Sequence, residues 1–271
     1  MNRDILKILY RNSNILKNIS LKFLLNMKGG GNRKLKVEYN NHTYVFEENE
    51  INDNYYTLSS IEVDGLDCVV VLISTEDNIA EIHSITNSKS CMANTNENIG
   101  SHLLKLTIKM IKKYASKYNQ KVNINKISLG DMSIKKCGSH YIKLTKMLIL
   151  LTGHTWYGKY DFRPRDNITN NIDKYQNKKY ENNVKIMDTL TVSDINLIKY
   201  IKMTKNNNFI DKTKDTIIKK PKMLLKDFLR KFLKDYDNMC EYFYMFYEQL
   251  YNDIGLTDFQ GGSFVLCEFQ N

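Results

Sequence analysis

The sequence predicts an α+β protein: a mixed sheet of the α/β type, flanked by helices and followed by a helical C-terminal addition. Three observations predict it. Residues 34–88 hold five segments with strand patterning, residues 101–153 run helix, strand, helix, and residues beyond 186 carry apolar residues at helical spacing. With 271 residues, 42% of them hydrophobic, the chain can bury a core without staples.

The elements follow in order. Residues 1–29 place Leu and Ile at roughly helical spacing between basic residues, with Asp4 as the only acid. A transit-like peptide, a membrane-surface helix, a docking helix and a plain packed extension all fit this stretch. "KGGG" is a joint, and the domain proper is expected over 30–165. "KLKVEY" and "HTYVFEE" alternate and are joined by "NN", which predicts a hairpin. "YYTLSSIEVD" and "DCVVVLIST" are the next strands. "AEIHSITNS" (80–88) is a fifth, with Ile82, Ser84 and Thr86 on one face and Glu81, His83 and Ile85 on the other.

A helix is expected from Ser101 to about Asn119, with Leu104, Ile108, Ile111 and Ala115 as its core stripe and Lys105, Lys109 and Lys112 opposite. "VNINKISLGD" (122–131) reads as a strand. "SHYIKLTKMLILLTG" (139–153) reads as a second helix, with Tyr141, Leu144, Leu148 and Leu151 in its stripe and Gly153 as its stop. Residues 166–185 are rich in Asn, Lys and Tyr and read as a polar linker. The C-terminal region, 186–271, predicts helices at 191–204, capped by Thr191 or Ser193, at 222–235 and at 237–253, then a terminal strand at "SFVLCEF" that completes the sheet. The aromatic stripe of 237–253 suits a core or a protein partner.

Charge and cysteine usage narrow the function classes. Residues 37–100 carry twelve Asp/Glu against Lys89, whereas 101–165 carry fourteen Lys/Arg against Asp131 and Asp161. Such blocks form solvated faces or sites for charged ligands. The five cysteines (Cys68, Cys91, Cys137, Cys240, Cys267) include no CxxC spacing, which argues against a zinc site. They read as reduced thiols of a cytoplasmic protein. No apolar run reaches membrane-spanning length, so no transmembrane segment is expected.

Two stretches carry a family resemblance. "IHSITNSKSCMANTNENIGSHLLKLTIKMIKKYA" joins a strand to a helix through a polar turn ending in Gly100, and "LLTGHTWYGKYDFRP" places Tyr157 after a helix. In this order they resemble the GCN5-related N-acetyltransferase (GNAT) superfamily over about residues 34–165. The resemblance implies a GNAT-like central sheet and a loop that binds the pyrophosphate of acetyl-CoA on the free N–H groups of a helix N-terminus. The loop pattern falls on Thr95, Asn96, Glu97, Asn98, Ile99 and Gly100. The first position departs from the family's Gln or Arg, and Asn98 stands for a glycine.

By carry-over, Ile85, Asn96, Asn98, Ile99, Gly100 and Ser101 would bind the cofactor. Glu81 would be the general base, with His83 as an alternative base, and Tyr157 the general acid for the departing thiolate. Asp131 and Ser133 could line the acyl site. "WYGKYDFRP" also looks like a phrase found in proteins of large DNA viruses, which would place the protein in host cytoplasm or the virion.

Three functions follow as expectations. The first is an acetyl-CoA-dependent N-acetyltransferase acting on an unknown amine. The second is a catalytically inactive GNAT-like binding or virion-associated module, with a protein partner on helix 237–253. The third is salt-sensitive nucleic-acid binding through the basic 101–165 block.

Overall fold

The computed structural model describes residues 33–52, 55–60, 68–86, 91, 98–117, 123–131, 133–234, 239–258 and 263–267. The expected N-terminal element at 1–29, the joint after it and the loop residue Asn96 lie outside the described residues. The fold is α+β. The chain divides into two units, Met1–Ile127 with Glu268–Asn271, and Ser128–Cys267.

In the first unit, β1 (Arg33–Tyr39), β2 (His42–Asn52), β3 (Tyr55–Ser60), β4 (Val69–Ser74) and β5 (Ile79–Ile85) pair consecutively and antiparallel. Asn40 and Asn41 both take positive φ (49° and 63°), as the tight "NN" hairpin requires. β4 is buried along nearly its whole length, which explains its unbroken apolar run. Helix α1 (Ile99–Lys117) follows and packs on β1 and β5. Its buried face runs from His102 through Leu103, Leu106, Met110 and Ile111 to Tyr114. β6 (Lys126–Gly130) straddles the boundary between the units.

The second unit opens with a hairpin the sequence reading did not foresee, β7 (Ile134–Cys137) and β8 (His140–Lys143). The expected helix at 139–153 is therefore only α2, Leu144–Thr152. Tyr141 is an exposed strand residue, and the buried face is Met147, Ile149, Leu150 and Leu151. "KCGSHY" supplies the reason: Gly138 at φ 60° turns the chain back on itself before helix can start. Gly153 ends α2 in the left-handed region as expected, its N–H donating to the Ile149 carbonyl at 2.8 Å.

Residues from 174 to 185 are not a linker. Asp173 accepts from the N–H groups of Tyr175 and Gln176 and starts α3 (Lys174–Thr189). Its buried stripe is Tyr180, Asn183 and Met187, too polar to read as a core face. Then come α4 (Leu197–Ile201), α5 (Asn207–Lys219), α6 (Leu225–Lys234) and α7 (Met239–Asp253). The helix expected at 191–204 shrinks to α4 and a 3-10 turn, because Asn196 rather than Thr191 or Ser193 is the cap. Asp194 instead accepts the Thr191 N–H and hydroxyl, both at 2.7 Å.

Helix α5 is new, opened by Asn206 and buried through Phe209 and Thr213. The aromatic stripe of α7 supplies Phe243, Phe246, Tyr247 and Tyr251 to the unit's own core, so these rings do not form the expected partner face. The terminal strand forms as β10 (Ser263–Cys267) and pairs antiparallel with β9 (Arg163–Pro164).

Two pairs of cysteines are disulfide-bonded, Cys68 with Cys91 and Cys137 with Cys240. This corrects the reading of reduced thiols and removes the argument from thiols to a cytoplasmic location. The pairs are 23 and 103 residues apart, so only tertiary folding brings them together. Among the described residues no helix is long and apolar enough to cross a membrane.

Candidate functional site

The described residues among the expected cofactor set lie at the end of β5 (Ile85) and at the start of α1 (Asn98, Ile99, Gly100 and Ser101). β5 does not keep strict alternation. Val70 pairs with Ser84 and the adjacent Val71 with Ile82, so His83 is the extra residue of a β-bulge. Glu81 is half-buried and His83 exposed, with the buried Ile82 between them. Ile85, the last residue of the strand, is half-buried.

At the helix start, Asn98 is exposed and acts as the cap. Its Oδ1 accepts the Ser101 N–H at 3.4 Å, and its carbonyl accepts the His102 N–H at 2.9 Å. Ser101 therefore has its backbone donor occupied. The N–H groups of Ile99 and Gly100 remain without an intrahelical acceptor, which is a general property of the first helical turn. His102 is fully buried, its Nε2 2.8 Å from the Tyr44 hydroxyl, and its ring meets Tyr39 edge-on. Burial and the neighbouring Tyr39 push the Tyr44 hydroxyl above its ordinary pKa. The "GSH" after the turn is thus partly an anchoring device: its histidine fixes the first turn of α1 to β1 and β2.

On the same side of α1 as His102, Lys113 donates to the Lys36 carbonyl at 2.7 Å and Lys109 lies over the Tyr39 ring. Two charges of the basic face thus have protein partners.

Tyr157 belongs to the second unit, on a 3-10 turn, Tyr157–Tyr160, that ends with Asp161 in the left-handed region (φ 65°). Trp156, Phe162 and Phe264 pack around its ring. Burial first, and the Asp131 carboxylate second, push its pKa up to about 12, against a hydrogen bond from Ser133. Asp131 itself accepts the Ser133 N–H at 3.0 Å and the Thr145 hydroxyl at 2.9 Å. Asp131, Ser133 and Tyr157 do come together, as sequence order alone could not say. The result is a firmly held phenol. Transfer of a proton from a group at about 12 to a thiolate near 8.5 is uphill by roughly 5 kcal/mol.

The rest of "HTWYGKYDFR" is a packed unit. The Gly158 N–H donates to Thr155 Oγ1 at 2.8 Å, and Arg163 donates to the Gly158 and Phe162 carbonyls. His154 Nδ1 sits 2.9 Å from the Tyr180 hydroxyl, and Arg163 lies over the Tyr180 ring. Tyr44, His154 and Tyr180 escaped sequence reading. Tyr44 and Tyr180 stand 58 and 26 residues from their histidine partners, and no local spacing marks them.

No family model, no curated protein and no solved structure matches this chain.

Proposed function

We propose that this protein is a divergent N-acetyltransferase of the GCN5-related type, taking acetyl-CoA and an amine. The observation that carries the reading is the β-bulge at His83 on the strand that leads to the Asn98-capped start of α1. A bulge breaks the ladder and re-aims side chains, and bulges concentrate beside active sites. A helix start with donors to spare suits a pyrophosphate. The run of five antiparallel strands, helix and strand also supports the reading.

The residues present fit the cofactor in part. Ile85, Asn98, Ile99 and Gly100 would hold it, Ile99 and Gly100 through their N–H groups. Ser101 contributes only if the Asn98 cap yields. Acetyl-CoA supplies an activated thioester. Glu81, half-buried on β5, is the base of this proposal, and His83 is the bulge residue beside it. Tyr157 holds its proton rather than donating it, so the departing thiolate takes its proton from solvent.

Calorimetric titration with acetyl-CoA tests the reading. Binding is expected in the parent and lost at least about tenfold in Gly100→Asp, which sets a carboxylate against the helix donors. Glu81→Gln is expected to keep binding and lose turnover. No heat at millimolar acetyl-CoA would refute the proposal.

Tyr157 favours a second reading, a binding module without turnover, since a phenol held to about 12 is a poor acid at neutral pH. Acetyl-CoA binding with no product over a panel of amines would establish that reading.

A further inference from the structure

The 166–271 region is near charge balance as a whole, yet residues 199–234 carry twelve Lys/Arg and only three Asp. That block folds into α4, α5 and α6, and α5 and α6 help enclose a cavity of about 380 Å³ within the second unit. The volume lies at the low end of the range for small-molecule sites, about 300–1,000 Å³.

The floor is apolar: Phe209 of α5, Met223, and Phe228 and Phe232 of α6. The mouth carries Lys212, Lys219, Lys220 and Lys231 against a single acid, Asp215. Asp215 is already paired with Lys219 at 2.8 Å. Lys220 and Lys231 make no ion pair among the described residues, and both are exposed.

The lining selects among anionic ligands. Phe209 and Phe228 are 5% exposed and Phe232 6%, and their rings pack on one another, so with Met223 they offer a small residual apolar surface and no full ring face on which a nucleobase could stack. The Thr213 hydroxyl donates to the Phe209 carbonyl at 2.6 Å and the Thr216 hydroxyl to the Lys212 carbonyl at 2.9 Å. Their protons are therefore committed to the helix backbone. No arginine fork lines the cavity to grip a phosphate bidentately. What remains is an apolar floor beneath the point charges of lysines.

We propose that this cavity binds a single-chain anionic amphiphile: a carboxylate at the lysine mouth, with its alkyl tail on the phenylalanine floor. The site is independent of the acetyltransferase reading.

Titration of the full chain with decanoate, followed by calorimetry, tests the proposal. One saturable site is expected, with a Kd on the order of 0.1 mM. Decanol, which keeps the tail and loses the charge, is expected to bind at least about tenfold more weakly, and added salt to weaken decanoate. The exposed double substitution Lys220→Glu/Lys231→Glu is expected to cost about tenfold or more at unchanged thermal stability. Thr216→Phe, which fills the cavity, is expected to abolish binding. If that variant does not fold, the decanol and charge-reversal arms still decide.

Four results would overturn the proposal: decanol binding as tightly as decanoate; charge reversal without effect; ATP displacing decanoate at lower concentration; and association with anionic phosphatidylglycerol vesicles but no binding of free decanoate.

Discussion

Gly158→Ala separates a packing role for "WYGKYDF" from a catalytic one. Gly158 is buried, and a Cβ there would collide with the Tyr180 hydroxyl and stand 2.9 Å from Tyr180 Cζ and from Thr155 Oγ1. Tyr180 cannot swing aside freely. It is 2% exposed, bonded to His154 at 2.9 Å and covered by Arg163. Overpacking of this kind costs about 1–3 kcal/mol, and loss of the His154 contact adds about 1 kcal/mol. The total of about 2–4 kcal/mol corresponds to a fall in Tm of roughly 5–15 °C. Urea denaturation and thermal melting measure it. Tyr180→Phe removes the colliding oxygen, so the double variant should be more stable than Gly158→Ala by about 1 kcal/mol, although Tyr180→Phe alone is destabilising. A Gly158→Ala protein within about 0.5 kcal/mol of the parent, or the absence of coupling with Tyr180→Phe, would refute this account.

Asn98→Ala should lower stability by about 1 kcal/mol in urea denaturation, while Asn98→Asp should retain most of it, because the cap needs only a side-chain oxygen. Reduction, or Cys137→Ser with Cys240→Ser, should cost about 2–4 kcal/mol, since the crosslink spans 103 residues. Alkylation with mass spectrometry should show Cys68, Cys91, Cys137 and Cys240 protected until a reductant is added. Burial holds the His154 imidazole below its ordinary 6.5, although Asp188 pulls the other way. The unfolded chain therefore takes that proton first, so the contribution of His154 to stability is present above 6.5 and is lost as pH falls through 6.5 toward the folded value. Denaturation midpoints at pH 8, 6.5 and 5 should show this loss, and His154→Asn should flatten it.

The five strands of the first unit and helix α1 were legible in the sequence, because each has one buried face and a clear period. "NN" marked its hairpin, and Gly153 its helix end. Misreadings arose where the buried stripe was polar or the punctuation came late. Tyr180, Asn183 and Met187 of α3 look like linker composition, and Phe209 with Thr213 looks like too little core for a helix. Tyr141 kept helical spacing with Leu144, yet it sits on a strand because Gly138 turns the chain first.

At the candidate site, local chemistry was readable and juxtaposition was not. A helix start close to Gly100 follows from residues 98–101 alone, since backbone preference and capping act over three or four residues. That His83 is a bulge depends on its partner strand, because register is set by pairing and not by period. The pKa of Tyr157 depends on Asp131 and on the rings packed over it, since desolvation and Coulomb energy act through space. The same holds for the two disulfides and for the lysine-mouthed cavity. These features join residues that only tertiary packing makes neighbours.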